Sequence, residues 1–445
     1  MSGGGLFHRL TVLPVAISLR GEWSLFSEMR TVDRVARDAP ALRSLKANRM
    51  TEALQHAVTR VPFYQRLGVD SGSLSDFPIL EKEDLVREVE QLRPSRPHRA
   101  LRKTTGGSTG RAVTVFKDPR GIAAERAATW TAFSWYGINP GERAVRLWGT
   151  GGTIQRKIRS RLADLAMNRQ TFSAFAFKDE DLSSYWKVIS EYQPRYIYGY
   201  ASMIEALAEE LLVNQTGQPG WGLKAIITTA EPLFPRQRDL MERAFGVQIR
   251  NEYGCGEVGP IAYECERGRL HLMETHLHIE VLDEKGTEVN PGETGEIVVT
   301  DLMNRAMPLI RYRVGDLATK PSDGGVCRCG LAFQTLQEVL GRTYDFVEDA
   351  MGRKYHGESI MYVLEKILDE GLNISAFQVV QEEPGHILFK YVAKSDPTDV
   401  RGALRDALST QLHPMRVETR QVSEIERAPS GKHRLIIRNR KSNDS

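Results

Sequence analysis

The sequence predicts an α/β fold, with a large amino-terminal α/β body of several subdomains and a small, mobile α+β lid domain at the carboxyl end. The chain has 445 residues, which is too long for one ordinary domain. Short strand-like runs alternate with helical segments from residue 105 to about 340, as in a layered α/β body. Beyond Gly341 the pattern changes to helices and strands packed into about a hundred residues.

The predicted elements divide the chain into three parts. Residues 1–104 are a helical segment of the large domain, in which Arg, Leu and Ala recur before the basic stretch RPSRPHRALRK. Residues 105–341 are the body of the large domain, with strand candidates RAVTVF, AVRLWG, RYIYGY, KAIITTA and EIVVTD and the amphipathic helix SMIEALAEELL. Residues 342–445 are the lid domain, with helices predicted at SIMYVLEKILDE and VRGALRDALSTQL and a strand at HILFKYVA.

Composition and charge exclude several classes of protein. Apolar residues make up 41% of the chain, charged residues 26%, and the net charge is only +3, which argues against a dedicated nucleic-acid binder. The apolar run LTVLPVAISL is about ten residues long and contains Pro14, so we expect neither a signal peptide nor a membrane span. Four cysteines in so long a chain do not make a disulfide scaffold, and we predict a cytoplasmic protein.

The stretch TTGGSTGRAVTV, residues 104–115, is a candidate phosphate-binding loop. It lacks the spacing of a Walker loop, but glycines leave its backbone N–H groups accessible, and hydroxyls and a guanidinium flank them. A flexible surface turn is the alternative interpretation. The candidate phosphate ligands are Thr105, Gly107, Ser108, Thr109, Gly110 and Arg111.

Further segments follow this loop in a fixed order: ITTAEPLFP, NEYGCGEVG, PLIRYRVGDLA, GRTYDFV and PSGKHRLIIR. Each alone is a weak signal. Together, from about residue 50 to 435, they resemble the core signatures of the adenylate-forming superfamily of acyl- and aryl-CoA ligases. The phenylacetate-CoA ligase branch, with its capsule-biosynthesis and coenzyme-synthetase-like relatives, is the most similar. This chain departs from the family's phosphate loop at Arg111 and Ala112, where a lysine and a proline are usual.

The resemblance implies an ATP-dependent carboxylate ligase, in which the body at residues 105–341 would bind ATP and the acid. A carboxylate would attack the α-phosphorus of ATP, giving an acyl-adenylate and pyrophosphate, and the acyl group would then pass to an acceptor, most often the CoA thiol. Transfer to an amine or a sugar hydroxyl competes with CoA as the second step. A non-catalytic nucleotide-binding relative is the rival class of function. The acid, the pathway and the choice between monomer and homodimer are left open.

The resemblance also implies roles for individual residues. Lys432, Glu257 and Arg342 would be catalytic, and Glu257 would hold Mg²⁺, because a hard cation that bridges phosphates prefers carboxylate oxygen. Asp345 would lie at the hinge of the lid. The expected adenosine contacts are Ala230, Glu231, Pro232, Tyr253 and Gly254 at the adenine, Asp316 at the ribose hydroxyls and Arg342 at the ribose or phosphate.

The cysteines form a second candidate site. Cys255, Cys265, Cys327 and Cys329 are predicted to hold a structural zinc ion, since four thiolates can close a tetrahedral site. Some members of the branch that the sequence resembles carry a structural metal in this region. Four unrelated buried thiols are the alternative.

The acid pocket is predicted from the resemblance alone. It would be lined by Trp148, Tyr198, Tyr200 and Ala201. An aromatic wall suits a flat or apolar acid, although aromatic side chains are more often simple core. CoA would be the second substrate if the acceptor is a thiol.

Overall fold

The computed structural model describes residues 11–70, 72–96, 99–105, 113–148, 161–173, 182–214, 217–231, 233, 235–340, 346–356, 360, 374–393, 397–425 and 436–438. The principal helices are α1 (Leu13–Arg20), α2 (Leu25–Val35), α3 (Ala39–Arg60), α4 (Pro62–Leu67), α5 (Lys82–Arg87), α6 (Pro119–Ser134), α7 (Leu182–Tyr192), α8 (Ala201–Val213), α9 (Pro235–Phe245) and α10 (Pro397–Gln411). The strands of the body are β1 (Leu101–Thr105), β2 (Val113–Lys117), β3 (Ala144–Trp148), β4 (Arg169–Ser173), β5 (Tyr196–Tyr200), β6 (Ala225–Thr229), β7 (Ile249–Cys255), β8 (Gly259–Glu264), β9 (Leu270–Leu272), β10 (Leu277–Leu282), β11 (Thr294–Asp301), β12 (Tyr312–Thr319), β13 (Thr335–Leu336) and β14 (Glu338–Leu340). The strands nearer the carboxyl end are β15 (Phe346–Glu348), β16 (Lys354–His356), β17 (Ile374–Glu383), β18 (His386–Ala393), β19 (Arg416–Gln421) and β20 (Ile436–Arg438).

The largest sheet has eight strands in the order β13-β9-β8-β7-β6-β5-β3-β4. Strands β3 to β7 run parallel, whereas β7, β8, β9 and β13 pair antiparallel. One face packs on α7, α8 and α9 around Ile197, Leu207 and Ile226, and the other packs on α6 around Phe133 and Ile227. The carboxyl ends of β3, β5, β6 and β7 therefore meet at one edge of the sheet.

The described residues also form four smaller sheets. Strands β10, β11, β12 and β14 form an antiparallel sheet, and β1 and β2 form the hairpin that encloses the predicted phosphate loop. Near the carboxyl end, β19, β18, β17 and β20 form a mixed sheet whose core includes Leu404 and Leu408 of α10. A two-stranded pair, β15 and β16, precedes it.

The predicted α/β class is confirmed, and so are its body strands. RAVTVF, AVRLWG, RYIYGY, KAIITTA and EIVVTD correspond to β2, β3, β5, β6 and β11, and SMIEALAEELL lies within α8. SIMYVLEKILDE falls outside the described residues except for Ile360, which is buried. The division into 1–104, 105–341 and 342–445 stays a prediction. Among the helices that are described, none combines the length and apolarity needed to cross a bilayer.

The amino-terminal helices are attached to the body by buried polar contacts. Arg49 of α3 donates to the backbone oxygen of Thr275 at 2.6 Å and to Glu28 of α2 at 2.6 Å. Further along, the N–H of Leu80 donates to the Arg311 carbonyl at 2.9 Å. Since α5 begins two residues after Leu80, this bridge fixes α5 beside the start of β12.

A buried ion pair anchors the hairpin of the predicted phosphate loop. Lys117 ends β2, is 3% exposed, and pairs with Glu125 of α6, while Asp301 lies 3.7 Å away. Burial acts to lower the pKa of Lys117, but the two carboxylates outweigh it and raise the pKa. A Cβ on Gly259 would lie 2.8 Å from the Glu125 carboxyl group, so Glu125 also packs on the turn that follows β7. The pair thus joins β2, α6 and that turn.

Lys117→Met is expected to lower the free energy of unfolding by about 3–5 kcal/mol, because it leaves buried carboxylates without their cation. Urea denaturation measures the effect. Lys285→Met is the matched control, since Lys285 is exposed and its removal should change the free energy by less than about 0.5 kcal/mol. A loss of under about 1 kcal/mol for Lys117→Met would show that the pair does not stabilise the fold.

Candidate active site and metal cluster

Two residues that are predicted to bind the nucleotide, Tyr253 and Asp316, contact each other although they belong to different sheets. The hydroxyl of Tyr253 in β7 donates to Oδ2 of Asp316 in β12 at 2.8 Å. Ala230 follows β6 with a φ of 66°, in the left-handed region that residues other than glycine seldom adopt. Backbone strain of this kind is common at functional sites. Tyr253, Asp316 and the turn at Ala230 are therefore suited to a shared binding surface.

Glu257, in the turn after β7, lies close to Lys82, which the sequence analysis did not identify as a site residue. Glu257 is 6% exposed, and the Lys82 Nζ atom of α5 lies 3.8 Å from its carboxylate. Lys82 begins α5 directly after Glu81, whose N–H is capped by Asp84 at 2.9 Å. The segment ILEKEDL carries the signal of a capped helix start, but nothing local indicates its distant partner. The site thus contains one buried carboxylate and one ammonium group.

Several predicted residues fall outside the described part of the chain, so their roles stay predictions. Thr105 ends β1, at the mouth of the hairpin, and Glu231 and Gly254 are described near Ala230 and Tyr253. The residues outside the described ranges are Gly107, Ser108, Thr109, Gly110, Arg111, Pro232, Arg342, Asp345 and Lys432.

Three of the four cysteines form a cluster with a histidine. The ligand atoms of Cys265, His271, Cys327 and Cys329 lie within 4.8 Å of one another. The Cys265 and Cys327 sulfurs are 3.7 Å apart, and the Cys329 sulfur is 3.2 Å from Nε2 of His271. A tetrahedral Zn²⁺ site with Zn–S bonds of about 2.3 Å separates its ligand atoms by roughly 3.5–3.8 Å. The donor set and spacing therefore fit a four-coordinate metal.

Local structure explains how these ligands converge. The N–H of Cys265 donates to the Arg269 carbonyl at 2.9 Å across the β8–β9 hairpin, and His271 lies two residues further on the same face. Cys327 and Cys329 lie on a turn that ends at Gly330, whose φ of 81° favours glycine. Arg37 Nη1 donates to the Cys329 carbonyl at 3.0 Å and holds this turn against the amino-terminal helices.

The cluster combines a neutral imidazole with three thiols of unequal acidity. Burial lowers the pKa of His271 to about 4, so the imidazole is neutral at pH 7. Its Nδ1 lies 3.1 Å from the Phe333 carbonyl, which fixes Nδ1 as the donor and leaves the Nε2 lone pair directed at the thiols. Burial acts to raise the pKa of Cys327, but hydrogen bonds from Cys329 and Cys265 lower it below the usual range. Burial raises the pKa of Cys265, and that of Cys329 to about 12, so a metal ion bound here would displace protons from these thiols.

The structure corrects the predicted ligand set: Cys255 is not part of the cluster, and His271 takes its place. Cys255 pairs with Gly259 at one end of the β7–β8 hairpin, whereas Cys265 follows the other end of β8. A strand rises about 3.4 Å per residue, so the two cysteines are about 20 Å apart. Burial, with Glu257 and Asp316 nearby, raises the pKa of Cys255 to about 12. The predicted ligand set rested on the number of cysteines and did not take into account the length of β8, which separates Cys255 from Cys265.

The predicted acid-pocket residues divide into two groups. The Trp148 ring stacks on Tyr198 with centroids 5.6 Å apart and lies 4.8 Å from the Tyr200 ring. Tyr200 and Ala201, at the start of α8, are 2% and 0% exposed and belong to the core, whereas Trp148 and Tyr198 are partly exposed. The roles of all four as acid contacts stay predictions. Sequence reasoning missed Glu252, which accepts a hydrogen bond from the Tyr198 hydroxyl at 2.9 Å.

Two family models match the chain. The AMP-binding enzyme model matches residues 168–303, which include β5 to β11. The CapK C-terminal domain model matches residues 352–439, which include the mixed sheet and α10.

Curated proteins and solved structures give consistent similarities. The chain is 24% identical to protein CapK of Staphylococcus aureus over 62% of this chain, and the match covers 60% of CapK. It is 28% identical to a phenylacetate-coenzyme A ligase of Thermus thermophilus, over 69% of this chain and 71% of that protein. The fold is similar to a 2-hydroxyisobutyryl-CoA ligase crystallised with 2-HIB-AMP and CoA, with a TM-score of 0.59, 20% identity, and coverage of 92% of this chain and 91% of that one.

Proposed function

We propose that the chain is an adenylate-forming enzyme of the branch that includes the phenylacetate-coenzyme A ligases and CapK, and that it activates a carboxylic acid with ATP and transfers the acyl group to CoA. In the first step a carboxylate oxygen bonds to the α-phosphorus and pyrophosphate leaves. In the second step the CoA sulfur bonds to the acyl carbon, AMP leaves and the thiol proton is released. The observation that carries the proposal is the contact of Tyr253 with Asp316, beside the turn of Glu257.

The described residues suit the first step. Asp316 can accept hydrogen bonds from both ribose hydroxyls, and Tyr253 offers a flat face to adenine beside Ala230. Glu257 would hold Mg²⁺, which supplies positive charge to the phosphate oxygens. The Lys82 ammonium, 3.8 Å from Glu257, would add a second positive charge at the same place. The loop at 105–111, Arg342 and Lys432 would complete the set, and Asp345 would be the hinge.

The acceptor is the least constrained part of the proposal. CoA is favoured by the phenylacetate-coenzyme A ligase relatives. The match of residues 352–439 to the CapK C-terminal domain supports a second candidate, in which the adenylate passes to an amine or a sugar hydroxyl. Supplying CoA, amines and sugars separately to the acyl-adenylate distinguishes the two.

We propose, in addition, that Cys265, His271, Cys327 and Cys329 hold one structural Zn²⁺. All four ligand positions belong to the protein, so the ion would have no open position for substrate. It would fix the β8–β9 hairpin to the turn that contains Cys327 and Cys329 and, through Arg37, to the end of α2.

Acid-dependent exchange of labelled pyrophosphate into ATP tests the proposed adenylation. We expect exchange with at least one acid from a panel of aryl, fatty, hydroxy and amino acids. Asp316→Ala should weaken ATP binding roughly 30- to 1000-fold, because it removes two charge-assisted hydrogen bonds worth about 2–4 kcal/mol. Asp323→Ala, an exposed aspartate in a neighbouring turn, is the control and should bind ATP normally. Unchanged ATP affinity in folded Asp316→Ala would contradict the assignment.

Metal analysis tests the zinc site and its ligand set together. Protein prepared without chelator should contain about one zinc per chain. Cys265→Ser and Cys329→Ser should lose the metal and melt at lower temperature, whereas Cys255→Ser should retain it. Zinc-free wild-type protein would refute the site, and metal loss in Cys255→Ser alone would refute the ligand set.

Separate assays of the two half-reactions test the role of Lys432. Lys432→Ala should slow adenylation by roughly 10²- to 10³-fold, because it removes a charge that stabilises the transition state. Transfer from a supplied acyl-adenylate to the acceptor should change much less. Lys285→Ala, on an exposed turn, is the control for the loss of a positive charge. Equal losses in both half-reactions, or in neither, would contradict a lysine that serves adenylation alone.

A further inference from the structure

A charged cluster lies beside the aromatic residues of the predicted acid pocket. The Glu252 carboxylate, in β7, accepts hydrogen bonds from the Tyr198 hydroxyl at 2.9 Å and from the Thr229 hydroxyl at 3.1 Å. These residues belong to β5, β6 and β7, three neighbouring parallel strands. The cluster thus lies at the edge where the carboxyl ends of the strands meet.

A guanidinium group completes the cluster. Arg146 in β3 is the register neighbour of Tyr198, and its guanidinium carbon lies 4.1 Å from the centre of the Trp148 ring. Burial raises the pKa of Glu252, and hydrogen bonds from the hydroxyls of Tyr263, Tyr198 and Thr229, together with the charge of Arg146, oppose this effect. A carboxylate and a guanidinium group therefore lie beside the aromatic rings of the predicted acid pocket.

The cluster is next to the nucleotide contacts in the chain. Ala230 follows Thr229 directly, and Tyr253 follows Glu252 directly. Under the proposed function Ala230 and Tyr253 flank adenine, so an acyl group joined to the α-phosphate would extend along this edge of the sheet. Arg146, Trp148, Tyr198 and Glu252 are each partly exposed.

The polar groups of Glu252 and Arg146 would favour some carboxylic acids over others as substrates. An apolar acid seated on it would remove the remaining water from Glu252 and Arg146 and give no hydrogen bond in return. A hydroxyl group can donate to the Glu252 carboxylate and accept from the Arg146 guanidinium. Its binding would therefore offset the desolvation of both side chains. The flat or apolar acid predicted from the three aromatic rings does not account for this pair.

We propose that the substrate is a hydroxy-substituted carboxylic acid, whose hydroxyl group is recognised by Glu252 and Arg146. The inference rests on the proposed adenylation, because it concerns the acid half of the same site. Glu252 would be a specificity-determining residue, and the transfer of the acyl group would not depend on it chemically.

Pyrophosphate exchange with matched acids tests this inference. Phenylacetate, benzoate and butyrate are each compared with a hydroxylated counterpart, and ATP affinity is measured by calorimetry in every variant. We expect the best substrate to be hydroxylated, with kcat/KM at least about 10-fold above its unsubstituted partner. Glu252→Gln should reduce this ratio and Glu252→Ala should bring it close to one, while ATP affinity stays within about threefold. Glu288→Gln, at an exposed carboxylate, is the control that leaves the ratio unchanged.

The outcomes separate this inference from the function on which it rests. Exchange that favours the unsubstituted acids would overturn the inference and leave adenylation supported. A hydroxyl preference that survives Glu252→Ala, with ATP binding intact, would also overturn it. An amino-substituted acid as the best substrate would overturn the hydroxy class. Absence of exchange with every acid would contradict the proposed adenylation and, with it, the inference.

Discussion

Strand β7 is the element on which the site depends. It is the last parallel strand of the large sheet on one side, and it pairs antiparallel with β8 on the other. Successive side chains of a strand point to opposite faces, so Glu252 contacts Tyr198 and Thr229 while Tyr253 contacts Asp316 of a different sheet. One heptapeptide thereby contributes to both the acid side and the nucleotide side, and its following turn adds Glu257.

The cysteine and histidine cluster supports the same strand from its other end. Arg250 in β7 donates to the Cys265 carbonyl at 2.9 Å, and the N–H of Asn251 donates to the Glu264 carboxylate at 2.9 Å. Both partners lie next to the cluster in sequence. A metal ion bound there would stabilise the start of β7 without touching substrate. At the far end, the Glu125 carboxyl group packs against Gly259 and is held by Lys117.

Sequence patterns predicted the elements of the body well, because β2, β3, β5, β6 and β11 are short apolar runs with clear boundaries. The same patterns did not indicate that β8 and β9 continue the large sheet as antiparallel strands. Lys82, His271 and Glu252 were missed for the same physical reason. Their roles depend on partners that pairing between distant segments brings close, and no local spacing encodes that. Cys255 was misassigned because the length of β8 separates it from Cys265.

The turn after β7 and Asp316 of β12 are expected to form one ATP site. The most direct test is a crystal structure of the protein with Mg²⁺ and a non-hydrolysable ATP analogue. We expect ribose hydroxyls within hydrogen-bond distance of Asp316, adenine against Tyr253, and phosphates between the loop at 105–111 and Glu257. A nucleotide bound elsewhere, with Asp316 and Glu257 making no contact to it or its metal, would show that these residues do not form the ATP site.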